Sequence, residues 1–433
     1  MSAIQIQGLR PLKGEIGIQG SKNAVLPMMA ASILHKGTTV LTHVPRIQDV
    51  FCMMGILESM GCSCFLDGHR LAICTRSLTD IHIPRQYLTA MRSSIMMLGA
   101  LLGRCGEAAT CYPGGCSIGK RPIDLHLYAL EKLGAEIKEE DGKIEARASR
   151  LKGTDIIFSF PSVGATENAL LAAVLAEGTT VIHGAAREPE IEELCRMLNG
   201  MGAEISGGGS DTIAVKGVET LHDTVYEVPG DRIVAGTYLS CVMAAGGQAL
   251  FTGVCPKQME RVLEVLGQMG AEICAGESRI GITMETRPRP IDLQTEPYPG
   301  FPTDLQSPML SLLSIGTGIG TIHETIFEGR FATAAQLRKM GACIEIRRQP
   351  GEGRPGEGKL SGGEEKLAVV KGTYPLRGCT VEATDLRGGA ALVVAGLAAE
   401  GTTAITDCRH ILRGYEDICG DLRSLGAEIR REL

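Results

Sequence analysis

Leu130–Ile137, LEKLGAEI, decides the fold, because it is not alone. LESMGCSC opens at Leu57, LNGMGAEI at Leu198, LGQMGAEI at Leu266, LRKMGACI at Leu337 and LRSLGAEI at Leu422. The glycines fall at Gly61, Gly134, Gly202, Gly270, Gly341 and Gly426, about 70 residues apart and further apart between the last two. Each copy reads as a helix stopped by Gly and turned into a strand, the usual use of a residue that tolerates positive φ. Upstream of each lies a second glycine that opens a Thr- and Val-rich strand: Gly37, Gly106, Gly178, Gly246, Gly320 and Gly401. Before each strand comes a segment apolar on all sides, such as NAVLPMMAASIL, ATENALLAAVLA and GGAALVVAGLAA. Such a helix is buried all round. The expected fold is α/β: six such units, three in each of two similar domains, with the apolar helices in the domain centre and the sheets and outer helices around them.

Working outward, the apolar helices begin at Lys22, Arg92, Val163, Arg232, Leu305 and Arg387, each at the same distance, within one residue, from its strand-opening glycine. Four of the six positions carry Lys or Arg. A cation is disfavoured at a helix N-terminus, where the backbone dipole is already positive, so the set points to bound anions such as phosphate or carboxylate. Ser21, Thr89, Ser162, Asp231 and Asp304 read as N-caps. Asp304 has a second reading, as a base for a hydroxyl among anion-binding groups.

The loop Cys111–His126, CYPGGCSIGKRPIDLH, places Cys116 after a Pro-Gly-Gly turn and before Lys120 and Arg121. Neighbouring cations stabilise a thiolate, so Cys116 has either a chemical or a packing role, whereas the other cysteines read as small buried hydrophobes. His126 reads as structural, and Asp124 as a candidate cap.

The 433 residues suffice for two or three domains, and 44% hydrophobic with 21% charged residues is an ordinary globular balance. A net charge of −7, 4% aromatics and no Trp argue against nucleic-acid binding. Fifteen cysteines without a C-x-x-C spacing argue against zinc and thioredoxin-like sites and for a reducing cytoplasm. The N-terminal residues carry no secretory pattern. The uncharged run around Ile233–Pro256 splits into a helix and a strand rather than a membrane span. Arg347–Lys366, rich in Gly, Glu, Lys and Arg, reads as an exposed loop insertion.

These motifs resemble the UDP-N-acetylglucosamine 1-carboxyvinyltransferase family of enolpyruvyl transferases. GSKNA at Gly20, MRSS at Met91, PGGCSIGKRPIDLH at Pro113, SVGAT at Ser162, AAREPEI at Ala185, FPTD at Phe301, ETIFEGRF at Glu324, TDLR at Thr384 and RGYE at Arg413 carry the resemblance along nearly the whole chain. It implies a two-domain inside-out α/β barrel with three repeats and parallel buried helices in each domain, an N-terminal domain over 21–229, a C-terminal domain of 1–20 plus 230–433, and an active site in the cleft between them. It implies transfer of the enolpyruvyl group of phosphoenolpyruvate to the 3′-hydroxyl of UDP-N-acetylglucosamine, with loss of phosphate, through a tetrahedral intermediate. Cys116 would be the general acid and the target of the epoxide fosfomycin, and Asp304 the base. Lys22, Asn23, Arg121, Arg387 and Arg413 would hold phosphoenolpyruvate. Arg92, Arg121, Pro122, Ile123, Asp124, Leu125, Ser162, Val163, Gly164, Asp304 and Ile326 would hold the nucleotide sugar. No metal or cofactor is expected, nor a nucleic-acid or membrane partner, and no oligomeric state is implied. Lys120 and Arg121 favour a thiolate whereas a proton donor must be a thiol; bound anions would restore the thiol. The chain departs from some members at Phe160, where they have Lys, and in the 347–366 insertion. The sister shikimate enzyme lacks the PGGC loop. A non-catalytic sugar-binding paralogue would have no use for Cys116, Asp304, Lys22 and Arg413 together.

Overall fold

A computed structural model describes residues 3–84, 86–87, 91–112, 122–327, 329–349 and 365–432. The six signature glycines all adopt positive φ, from 90° at Gly61 to 107° at Gly270. A residue with a Cβ is strained there, so each helix ends at its glycine. Helix Asp124–Lys132, for example, turns at Gly134 into strand Glu136–Glu140, and helix Glu260–Gln268 turns at Gly270 into strand Glu272–Ala275.

The strands that follow the second set of glycines organise the sheets. Thr38–Thr42 pairs parallel with Thr224–Glu227 and antiparallel with Arg70–Cys74, which pairs antiparallel with Ser63–Asp67. The same order holds around Thr179–His183, Gly247–Thr252 and Ile319–Glu324. Around Thr402–Thr406 the antiparallel partner is the first strand of the chain, Ala3–Gln7, which also pairs with Glu428–Glu432. Glu107–Cys111 heads a three-stranded version, with an isolated parallel bridge from Ala109 to His82. Burial alternates along these strands, as in Thr179–His183, so one face of each meets the core.

The apolar segments form helices Lys22–Ala31, Met97–Cys105, Val163–Ala173, Arg232–Ala245, Gln306–Ser314 and Leu386–Leu397. Their central residues are almost all buried. Arg92–Met96 is a 3₁₀ turn leading into the second helix. The chain divides into two compact units, Gly20–Gly115 with Arg121–Pro229, and Met1–Gln19 with Gly230–Leu433. Each has its own core. In the first, Met97–Cys105 packs against the helices from Lys22 and Val163; in the second, the helices from Arg232, Gln306 and Leu386 pack on one another.

Ile233–Pro256 is a helix followed by strand Gly247–Thr252, and no described helix is long and apolar enough to cross a membrane. No disulfide joins the described cysteines. The expected loop Arg347–Lys366 needs correction at both ends. Cys343–Gln349 and Glu365–Lys371 form an antiparallel ladder that reaches Gln349 opposite Glu365. Alternating residues with Ile344, Ala368 and Val370 turned inward drive the pairing, which a composition-based reading overlooks. Residues 350–364 lie outside the described part.

Candidate active site

In the Gly20–Pro229 unit, Ser21 caps the first buried helix, its Oγ accepting from the Ala24 N–H at 3.4 Å. That places Lys22 at the helix start, 14% exposed, with Nζ 3.4 Å from Asp49 Oδ2 and 3.5 Å from Asn23 Oδ1. Asp49 is buried. Glu167 is buried nearby, and burial, with Glu190 and Glu188 adding to it and Lys22 opposing, pushes its carboxyl up to about 8. Ser162 caps the third buried helix through the Ala165 N–H, so Val163 and Gly164 form its first turn. Gly164 has His126 against it: a Cβ there would lie 2.8 Å from the ring Cε1. Arg92 begins the 3₁₀ turn and is half-buried. Ile123 precedes helix Asp124–Lys132 and is buried, Leu125 is half-buried, and Pro122 and Asp124 are exposed. Asp124 is the first helical residue rather than a cap.

In the other unit, Asp304 departs from its capping role. It lies inside the 3₁₀ turn Thr303–Leu305, and its side chain caps nothing. Its two oxygens instead take two guanidiniums: Arg330 Nη2 on Oδ1 and Arg387 Nη2 on Oδ2, the latter at 2.9 Å. Arg330 and Arg387 are 4% and 3% exposed, and Asp304 is 23% exposed. Burial works against the Arg387 charge, but the Asp304 carboxylate outweighs it and lifts the guanidinium pKa above its ordinary value. Arg387 also lies 6.0 Å above the Tyr415 ring, and Tyr415 shares a 2.8 Å hydrogen bond with Thr237. Asp385 caps the Arg387 helix, accepting from the N–H groups of Arg387 and Gly388 at 3.0 Å. Arg413 ends the 3₁₀ turn Cys408–Arg413, and Gln19 holds the next residues by donating to Gly414 O and accepting from Glu416 N–H. Ile326 donates its N–H to Glu324, whose carboxyl burial pushes up.

Two of the four helix-start cations find acidic partners inside the protein, Asp49 for Lys22 and Asp304 for Arg387. For these two, an internal carboxylate offsets the charge without a bound anion. What remains is more specific. Arg387 Nη1, Gln306 Nε2 and Thr333 Oγ1 are buried and have no hydrogen-bond partner among the described residues. All three sit on the segments that hold Asp304, and a buried donor left without an acceptor is costly unless a ligand oxygen meets it. Arg330, Gln306 and Thr333 were missed in the sequence because none occupies the repeated helix-start position; Arg330 was visible only within ETIFEGRF. Thr89, Cys116, Lys120 and Arg121 lie outside the described residues. Among the described residues, a cleft of about 330 Å³ opens beside Arg232, Lys257 and Tyr298, and one of about 360 Å³ beside His82, Glu107 and Arg147; Asp304 lines neither of these.

Comparison with known proteins agrees with this architecture. The family model described as EPSP synthase (3-phosphoshikimate 1-carboxyvinyltransferase) matches residues 6–422. A UDP-N-acetylglucosamine 1-carboxyvinyltransferase 2 of Caldanaerobacter subterraneus is 45% identical over 432 residues, covering 100% of both chains. A UDP-N-acetylglucosamine 1-carboxyvinyltransferase of Acinetobacter baylyi is 44% identical over 433 residues, again covering 100% of both. The crystal structure of the enolpyruvyl transferase NikO from Streptomyces tendae superposes with a TM-score of 0.85 at 24% identity, covering 99% of this chain and 98% of that one. EPSP synthase from Acinetobacter baumannii gives 0.72 at 19% identity, with 100% of each chain covered. At such identities the structures speak to fold alone, but the sequence kinship spans the full length, and the chain belongs to the EPSP synthase family of enolpyruvyl transferases.

Proposed function

We propose that this chain transfers the enolpyruvyl group of phosphoenolpyruvate to the 3′-hydroxyl of UDP-N-acetylglucosamine, releasing phosphate, the first committed step of peptidoglycan precursor synthesis. The choice of acceptor rests on the full-length relatives that bear that activity in their names. The observation in this chain that supports anion chemistry is the unmatched Nη1 donor of buried Arg387 beside Asp304. The two units are read as domains 21–229 and 1–20 plus 230–433, each an inside-out barrel of three repeats, with the substrates in the cleft between them. The shared strand order of the sheets and the all-round burial of six helices support the repeat reading.

The chemistry follows from the residues. Cys116 delivers a proton to C3 of phosphoenolpyruvate as the sugar 3′-oxygen bonds to C2, giving a tetrahedral intermediate. Loss of a C3 proton and departure of phosphate then restore the double bond. Lys22, Asn23, Arg121 and Arg413 bind the phosphate and carboxylate, with Arg387. Asp304 takes the hydroxyl proton. Arg92, Pro122–Leu125, Ser162–Gly164 and Ile326 serve the nucleotide sugar. The reaction calls for neither metal nor cofactor, and the reading places the protein in the cytoplasm.

The test is phosphate release from phosphoenolpyruvate, with UDP-N-acetylglucosamine and, separately, with shikimate 3-phosphate. Release with the nucleotide sugar only is expected; release with shikimate 3-phosphate only would reassign the acceptor. Cys116→Ala should still bind UDP-N-acetylglucosamine but release no phosphate. A variant that turns over normally would move the acid elsewhere.

A further inference from the structure

Asn168 is wholly buried in helix Val163–Ala173, one turn beyond Gly164, and its side chain is clipped into the backbone of the neighbouring helix. Its Oδ1 accepts from the Gly99 N–H at 2.8 Å, and its Nδ2 donates to Ile95 O at 3.1 Å. These two backbone groups fix the amide, because an N–H can only donate and a carbonyl can only accept. The close approach depends on Gly99, where a Cβ would lie 2.4 Å from Asn168 O. The second Nδ2 hydrogen then points at His126 Nδ1, 2.7 Å away. An NH₂ group has nothing to accept with, so Nδ1 must offer its lone pair and the ring proton sits on Nε2. That edge of the ring faces the first turn of the Val163 helix: a Cβ on Gly164 would lie 3.1 Å from Nε2.

We propose that Asn168 is a positioning residue that holds His126 as an Nε2–H donor at the Ser162–Gly164 helix start, where the diphosphate of the nucleotide sugar is bound. The inference rests on the substrate reading above and deepens it. A helix start favours anions through its N–H groups. The Nε2–H tautomer adds a donor of the same sense. The opposite tautomer would turn a lone pair toward the anion's oxygens. The ring is thus set by a residue that touches no ligand, through an amide whose orientation the next helix dictates.

Two measurements test this on the full-length protein. The first is the long-range nitrogen–proton NMR spectrum of ¹⁵N-histidine-labelled wild type without ligand, with His126→Gln used to assign the ring among nine histidines. A neutral ring protonated on Nε2 is expected; a ring protonated on Nδ1, or on both nitrogens at neutral pH, overturns the proposal. The second compares KM and kcat. In Asn168→Leu, of similar size but without the Nδ2–H donor, nothing holds Nδ1 as the acceptor, so the KM for UDP-N-acetylglucosamine should rise about tenfold, the cost of about one hydrogen bond to a charged group. The kcat at saturating sugar and the KM for phosphoenolpyruvate should stay within about twofold, well short of that cost. His126→Gln, whose amide nitrogen reaches the Nε2 position, should bind the sugar better than His126→Asn. A folded Asn168→Leu with an unchanged sugar KM overturns the inference and leaves the substrate reading standing. A wild type that does not bind UDP-N-acetylglucosamine overturns both.

Discussion

Glu167 shows how one residue sets a property of the protein. It is buried among Glu190, Glu188 and Lys22, and its carboxyl is pushed up to about 8 from an ordinary 4.5. Between those two values the folded chain holds a proton that the unfolded chain has released. Stability therefore falls as pH rises through that window, by up to about 1.4 kcal/mol per pH unit for this single group, and is unaffected by it below the window. Glu167→Gln removes the contribution. Urea unfolding at pH 5.5 and pH 8 should show the wild type losing more stability than the variant over that interval; equal losses would place the titrating group elsewhere. Asp304 teaches a different lesson at this scale. Its identity was legible in the sequence, but its two guanidinium partners were not, because nothing local links positions 304, 330 and 387.

At the scale of elements, the helix starts place Lys22 and Arg387, and they are held by caps of unequal kind. Asp385 takes two backbone N–H groups at 3.0 Å and so fixes the turn from which Arg387 reaches Asp304. Asp385→Ala is expected to cost about 1 kcal/mol by urea unfolding, the usual worth of an N-cap, and Asp385→Asn should recover most of it. An Asn variant as unstable as Ala would show that charge rather than capping is at stake. Gly at the end of each signature and Ser or Asp at the helix starts were readable directly, because both answer to backbone rules that span three or four residues. The failure at Asp304 has the same origin. It stands where a cap belongs, but the chain there enters the helix through a 3₁₀ turn, and the carboxylate finds stronger partners in two buried arginines.

At the scale of the whole molecule, the first strands of the chain complete the unit built from its last 200 or so residues. Ala3–Gln7 lies between Thr402–Thr406 and Glu428–Glu432, and Leu12–Gly17 lies beside Gly247–Thr252. Ile4, Ile6, Leu12 and Ile16 are all buried there. Exposing four such side chains costs roughly 6–12 kcal/mol, comparable to the stability of a whole domain. Deleting residues 1–17 should therefore unfold the 230–433 unit and leave the 20–229 unit protected in hydrogen exchange, and a peptide of residues 1–19 should restore protection. Uniform loss in both units, or in neither, would contradict that division.

By itself the sequence determined where each helix stops, which helices are buried on every side and which residues stand at their starts. Those features depend on φ limits, periodicity and capping, all written within a few neighbouring residues. Only the tertiary structure decided that Asp304 answers two arginines, that Asn168 orients His126, and that the N-terminal strand closes a sheet at the other end of the chain. Ion pairs, tautomers and strand partners are chosen by what the folded chain brings within 3 or 4 Å, and sequence distance carries no information about that.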